Sequence, residues 1–263
     1  MTTPPLGVVA GLIALQAVYL LCVGRFRDRI PGAQPVSTAR QLVFAEGVAV
    51  LLVALASPLH DLSEQYLFSA HMVQHLLVTL VAAPLLLAGT PGWLLRELLT
   101  STRLLGVARA ARHPLIAFGL FNLVFSIAHV PALYELSLAS EPLHAAEHLV
   151  FLVTALLMWL PILSPLPEEL PRYPGLGQVL YLFVQTIPSG LVGALLSASG
   201  TAFYATYVMA PRITSLSPRE DQQLGGLIMW VGTGLYFLIA SAIVFFSWAS
   251  REEAANRRPL RAV

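Results

Sequence analysis

The stretch Ser69–Pro91, S-A-H-M-V-Q-H-L-L-V-T-L-V-A-A-P-L-L-L-A-G-T-P, is apolar over a length that can cross a bilayer, yet it carries His71 and His75. On a helix, positions i and i+4 share one face, about one turn apart. An ionisable residue inside such a segment is costly and by default marks a functional site. The chain repeats the device. In L-H-A-A-E-H-L-V-F, His144 and His148 are again i and i+4, at the start of another long apolar run. The expected fold is one that brings the two pairs together.

Composition agrees with a bilayer setting. Of 263 residues, 57% are hydrophobic and 11% charged, and the mean hydropathy is +0.74. A soluble domain carries about 25% charged residues. The net charge is +1, and no basic patch interleaved with aromatics appears, so nucleic acid is not an expected partner; membrane lipids are. The single cysteine, Cys22, makes neither an internal disulfide nor a C-x-x-C clamp, and reads as a small core residue.

Seven apolar spans are expected: Leu6–Val23, Leu42–Ala56, Tyr66–Leu87, Pro114–Ala128, Leu143–Leu163, Leu176–Ser197 and Leu224–Trp248. The first is too long for a signal-peptide core, and no Lys or Arg precedes it. All fifteen basic residues are Arg, and thirteen fall in alternate loops and the tail. Arginine excess marks the cytoplasmic side. Seven spans and this split agree on an all-α, seven-span membrane bundle with its N-terminus outside and its C-terminus in the cytoplasm. It is read as one domain, 1–263, with an interfacial helix at about 92–112 anchored by Trp93, and a flexible tail at about 250–263.

This topology gathers six of the seven histidines near the outer face; only His113, before Pro114, lies on the other side. Neutral imidazole is a good ligand for Zn, Cu, Fe and Ni. Two H-x-x-x-H pairs on neighbouring helices offer four nitrogens to one ion. His71, His75, His144 and His148 are therefore the expected metal ligands. His60 and His113 read as ordinary helix-end residues, and His129 stands open between the two roles. Glu147 and Gln74 adjoin His148 and His75 and are placed to orient an imidazole through its second nitrogen. Met72 is either a soft ligand or a packing residue. Asp221 is expected at the outer mouth, either guiding a cation or supplying favourable charge to a helix N-terminus.

Taken together, H-M-V-Q-H with A-P-L-L-L-A-G-T-P, then A-H-V-P-A-L-Y, then L-H-A-A-E-H with M-W-L-P, then D-Q-Q-L-G-G-L-I-M-W, resemble the CtaG family of cytochrome c oxidase assembly factors. The resemblance runs from the second span to the seventh. It implies a bacterial plasma-membrane protein that helps mature a caa-type oxidase at a copper centre, with oxidase subunits as partners. By the same resemblance His71, His75, His129, His144 and His148 match the family's recurring histidines, and Asp221 its acidic position. Copper, which tops the divalent affinity series for nitrogen sites, is the expected ion, with zinc as the alternative.

Two other functions compete. His144-Ala-Ala-Glu147-His148 fits H-x-x-E-H, the inverted zincin pattern, in which Glu147 would be the general base of a membrane zinc hydrolase. One histidine from each of two helices could also hold a haem in an electron carrier. The assembly-factor reading, non-enzymatic, is preferred.

Overall fold

The computed structural model describes residues 6–257. It is about 80% helical, and no strand occurs among the described residues. Fourteen α-helices are described: α1 (Leu6–Val23), α2 (Thr38–Ala56), α3 (Pro58–Gln65), α4 (Phe68–Leu76), α5 (Ala83–Gly89), α6 (Gly92–Ser101), α7 (Leu105–Ala111), α8 (Pro114–Ala128), α9 (Pro131–Leu138), α10 (Glu141–Leu163), α11 (Gly175–Ala198), α12 (Ala205–Met209), α13 (Pro218–Leu227) and α14 (Thr233–Arg257).

Local chemistry sets most of these starts. Ser37 and Ser57 cap α2 and α3 through their hydroxyls, and Pro58, Pro114, Pro131 and Pro218 open their helices where no N–H partner is needed. Ser217 and Glu220 form a reciprocal capping box at the start of α13.

Two spans are single rods interrupted by a π-helical turn. Leu77–Ala82 joins α4 to α5, and Ile228–Gly232 joins α13 to α14. A π turn frees backbone carbonyls that need other donors, and it often marks a functional stretch. Here the donors come from neighbouring helices. Trp159 Nε1 donates to the Thr79 carbonyl at 3.0 Å, and the Tyr236 hydroxyl donates to that of Leu80. Trp159 is 3% exposed, so water cannot replace its N–H. Trp159→Phe is expected to cost about 1–2 kcal/mol. The check is a thermal-unfolding midpoint several degrees lower in detergent, while Phe at a surface aromatic such as Trp230 shifts it little.

Among the described residues, six helices are long and apolar enough to cross a membrane. A seventh is counted when α7 and α8, bent by 88° at their junction, are taken together. The expected fourth span, Pro114–Ala128, coincides with α8 and is that seventh element; its fifteen residues reach only about 22 Å. The other expected boundaries lie within a few residues of the observed ones, apart from the last span, which begins at Pro218.

Four local expectations differ from the structure. The segment 92–112 is two helices rather than one, broken at Arg103, which adopts a left-handed backbone with φ 58°. Trp93 is buried in the cluster that holds Tyr19, Phe44 and Leu86, so it anchors α6 to the bundle rather than to the interface. The stretch expected to be a flexible tail from about 250 continues α14 to Arg257; its remainder, 258–263, lies outside the described residues. Cys22 is only partly buried.

The main core surrounds α10, which packs against α8, α5 and α9. A second cluster joins α1 and α2 to α5. Asn122 of α8 donates to Gln185 of α11 at 2.7 Å, a polar link inside this apolar surround.

Candidate metal centre

The histidine pairs of α4 and α10 are buried and meet ring to ring. His71 and His75 are 1% and 4% exposed, His144 and His148 4% and 7%. Ring centroids lie 4.3 Å apart within each pair. Across the pairs they are 5.4 Å for His71–His144, 6.5 Å for His71–His148 and 5.4 Å for His75–His148. The sequence-derived juxtaposition of the two pairs is therefore present.

These distances can be compared with chemistry. Nitrogens at about 2.0–2.1 Å around a tetrahedral ion put imidazole centroids about 5 Å apart. The observed spread brackets that value. The rings of each pair, and of His75 with His148, cross edge to face. Among the described residues, no three His, Cys, Asp or Glu side chains already converge on one point. The spacing suits one ion; the ring orientations are those of rings packed on each other.

The hydrogen-bond partners assign protons to three rings. The Tyr207 hydroxyl donates its one proton to the Ser63 carbonyl at 2.6 Å. Its oxygen must therefore accept from Tyr134, at 2.9 Å, and from His71 Nδ1, at 3.1 Å. His71 Nδ1 thus carries the hydrogen, and Nε2 keeps its lone pair. His129 Nδ1 faces the Phe125 carbonyl at 2.7 Å, an acceptor only, so its Nε2 is bare as well. Ser137 donates to Glu147, which leaves its oxygen to accept from His144 Nδ1 at 3.2 Å. The Nε2 atoms of His71, His129, His144 and His148, and both ring nitrogens of His75, are buried without a hydrogen-bond partner. Each such atom costs about 1–3 kcal/mol. A cluster of bare imidazole nitrogens with this cost is a donor set that fits a soft or borderline cation.

The remaining expected residues divide. His129 is 7% exposed, at the end of α8, with its ring 4.5 Å from that of Phe125. Glu147 lies 3.4 Å from His144 Nδ1, so it serves His144 rather than its neighbour His148. Gln74 serves His60 rather than His75. Its amide donates to the Ala54 carbonyl at 2.9 Å and lies 3.2 Å from His60 Nδ1. Met72, 1% exposed, packs in the core with Phe68.

Asp221 is 0% exposed. Its carboxylate accepts from the Phe68 N–H at 2.7 Å, from the Ser69 N–H at 3.3 Å and from the Ser69 hydroxyl. It is the N-terminal cap of α4 supplied by α13, and its charge sits at the positive end of that helix.

Four residues of this centre had not been singled out: Glu64, Tyr134, Ser137 and Tyr207. Only Glu64 had a legible signal. His60 and Glu64 are i and i+4 in H-D-L-S-E, and His60 Nε2 lies 3.2 Å from a Glu64 carboxylate oxygen. The two tyrosines come from separate short helices, α9 and α12; Tyr134 closes the A-H-V-P-A-L-Y motif, but neither it nor the sequence around Tyr207 points to His71.

A protein-family model, cytochrome c oxidase caa3 assembly factor (Caa3_CtaG), matches residues 17–251. No curated protein and no solved structure matched the chain.

Proposed function

This chain belongs to the cytochrome c oxidase caa3 assembly factor family, and from that premise we propose that it binds copper at its histidine centre and assists maturation of the oxidase's copper site. The observation that carries this reading is the convergence of four buried histidines, His71, His75, His144 and His148, each with at least one ring nitrogen that makes no hydrogen bond. The protein sits in the bacterial plasma membrane, with its histidine end outward and its arginine end in the cytoplasm. Oxidase subunits are its clients.

In this reading His71, His75, His144 and His148 hold the ion, and His129 completes the set or receives the ion on exit. Tyr207, Phe125 and Ser137 with Glu147 hold the Nδ1–H sides of His71, His129 and His144, which leaves Nε2 as the ligating atom. Asp221 fixes the height of α4 and thereby of His71 and His75. Imidazoles with no thiolate bind less tightly than a cysteine site, which suits an ion that must be released. Copper is favoured over zinc by the affinity order for nitrogen donors.

The hydrolase reading requires Glu147 to act as a base on bound water. Its engagement with Ser137 and His144 favours a positioning role instead.

The test is metal analysis of protein purified from copper-supplied cells, with the oxidase assayed in a strain lacking the protein. About one copper per chain, and an oxidase depleted in copper in that strain, are expected. Metal-free protein, or an oxidase of full copper content without it, overturns the proposal.

A further inference from the structure

A cleft of about 210 Å³ opens between α1, α2, α3 and α10, and its inner wall is formed by His144 and His148. The polar groups along it are ordered. Glu141 is exposed; the side chains of Glu64, His60 and His144 are 29%, 17% and 5% exposed. One carboxylate oxygen of Glu64 lies 3.2 Å from His60 Nε2 and 3.2 Å from His144 Nε2. It therefore touches one imidazole outside the buried cluster and one inside it.

The proton inventory shows how this oxygen is held. Gln74 donates to the Ala54 carbonyl and to His60 Nδ1. His60 Nδ1 is then an acceptor, and its Nε2–H points to Glu64. His144 Nε2 lies 3.2 Å from the same oxygen, within ion-pair range though out of line for a hydrogen bond, and His148 Nε2 has no hydrogen-bond partner. Glu64 is thus a partly exposed carboxylate fixed at the edge of buried, unpartnered nitrogens. The rest of the cleft is apolar, with Leu12, Leu51, Leu55 and Leu149 among its walls. In such low-dielectric surroundings a carboxylate attracts a cation more strongly than it would in water.

We propose that this cleft is the entry through which a metal cation reaches the histidine centre, with the Glu64 carboxylate as its receiving ligand and His144 as the next. The inference rests on the copper-binding reading and adds the route to it. His60 is a positioning residue: it orients Glu64 and releases it as the cation arrives. Transfer from Glu64 to His144 needs little movement, since His144 Nε2 already lies 3.2 Å from the Glu64 carboxylate oxygen.

The experiment measures the rate of metal uptake and the final metal content of detergent-purified, metal-stripped full-length protein. Cu²⁺ and Zn²⁺ are the probes, and wild type is compared with Glu64→Gln, Glu64→Asp and Leu149→Trp. Leu149 is 61% exposed, so the larger ring narrows the cleft without entering the core. Glu64→Gln and Leu149→Trp are each expected to slow uptake about tenfold or more with the final metal content unchanged. Glu64→Asp should retain most of the wild-type rate, and salt should slow wild type more than Glu64→Gln. Uptake by Glu64→Gln at the wild-type rate overturns the entry route. So does a final metal content that falls in step with the rate, since Glu64 would then be a permanent ligand. Wild type that takes Zn²⁺ but not Cu²⁺ overturns the copper assignment alone, and the route is then judged on zinc. Wild type that takes neither overturns both.

Discussion

Replacing His75 and His148 together by Ala is expected to abolish copper binding while leaving the chain folded. His75 makes no hydrogen bond through either ring nitrogen, and His148 Nε2 has no partner. The change therefore removes buried polar atoms rather than stranding others. What is lost is packing, chiefly the His75 ring against Phe151, with centroids 4.6 Å apart. The cavities cost stability, yet the helices that carry these residues are capped and packed by other groups. Affinity should fall far more. Loss of a residue that merely orients a ligand costs about 10–100-fold, so loss of two ligands should exceed about a hundredfold. Titration of the metal-stripped protein reads the affinity, circular dichroism reads the fold, and oxidase activity in cells reads the outcome. Any stabilisation of the wild type by added copper should vanish in the variant, because that stabilisation comes only from binding to the native state. A double variant with wild-type copper affinity would leave the histidines as packing residues. Should the Ala pair fail to fold, the Asn pair, closer in size and polarity, carries the same test.

Asp221→Ala is expected to have the largest effect on stability. The carboxylate is wholly buried and satisfies the Phe68 and Ser69 N–H groups and the Ser69 hydroxyl. No Lys or Arg partner for it is described, so these donors and the α4 N-terminus are what compensate its charge. Removal leaves two backbone N–H groups buried and unpaired. A lost cap costs about 0.5–2 kcal/mol, and each stranded buried donor adds about 1–3 kcal/mol. A total near 3 kcal/mol or above should lower the unfolding midpoint markedly or prevent accumulation in the membrane. Asp221→Asn keeps one acceptor oxygen and should be intermediate. The second readout is metal binding. α4 begins at this cap and carries His71 one turn later, so a frayed α4 should weaken metal affinity even in Asp221→Asn. An Ala variant with unchanged midpoint and unchanged affinity would show that the cap is dispensable.

How much of this was legible in the chain depends on whether the signal is local. Apolar length is local, and the spans were readable to within a few residues. Helical spacing is also local, so H-M-V-Q-H and L-H-A-A-E-H disclose that each histidine pair shares a face. The break at Arg103 had only a weak local signal, the run Thr100-Ser101-Thr102 before it and Gly106 after it, set within a pattern of Leu and Arg on different helix faces. The π turns were hidden: they persist because Trp159 and Tyr236, distant in sequence, supply donors to the freed carbonyls.

The sequence by itself determined a membrane helical bundle, the facing of each histidine pair and the family, because bilayer length, helical period and an ordered set of motifs are properties of the chain. Only the tertiary structure decided what each polar residue serves. Gln74 turned from the adjacent His75 to His60, Glu147 from His148 to His144, and Asp221 from the mouth to the cap of α4. In an apolar interior a polar side chain goes to whichever unsatisfied group lies within hydrogen-bond reach, and that partner is chosen by helix packing, not by proximity along the chain.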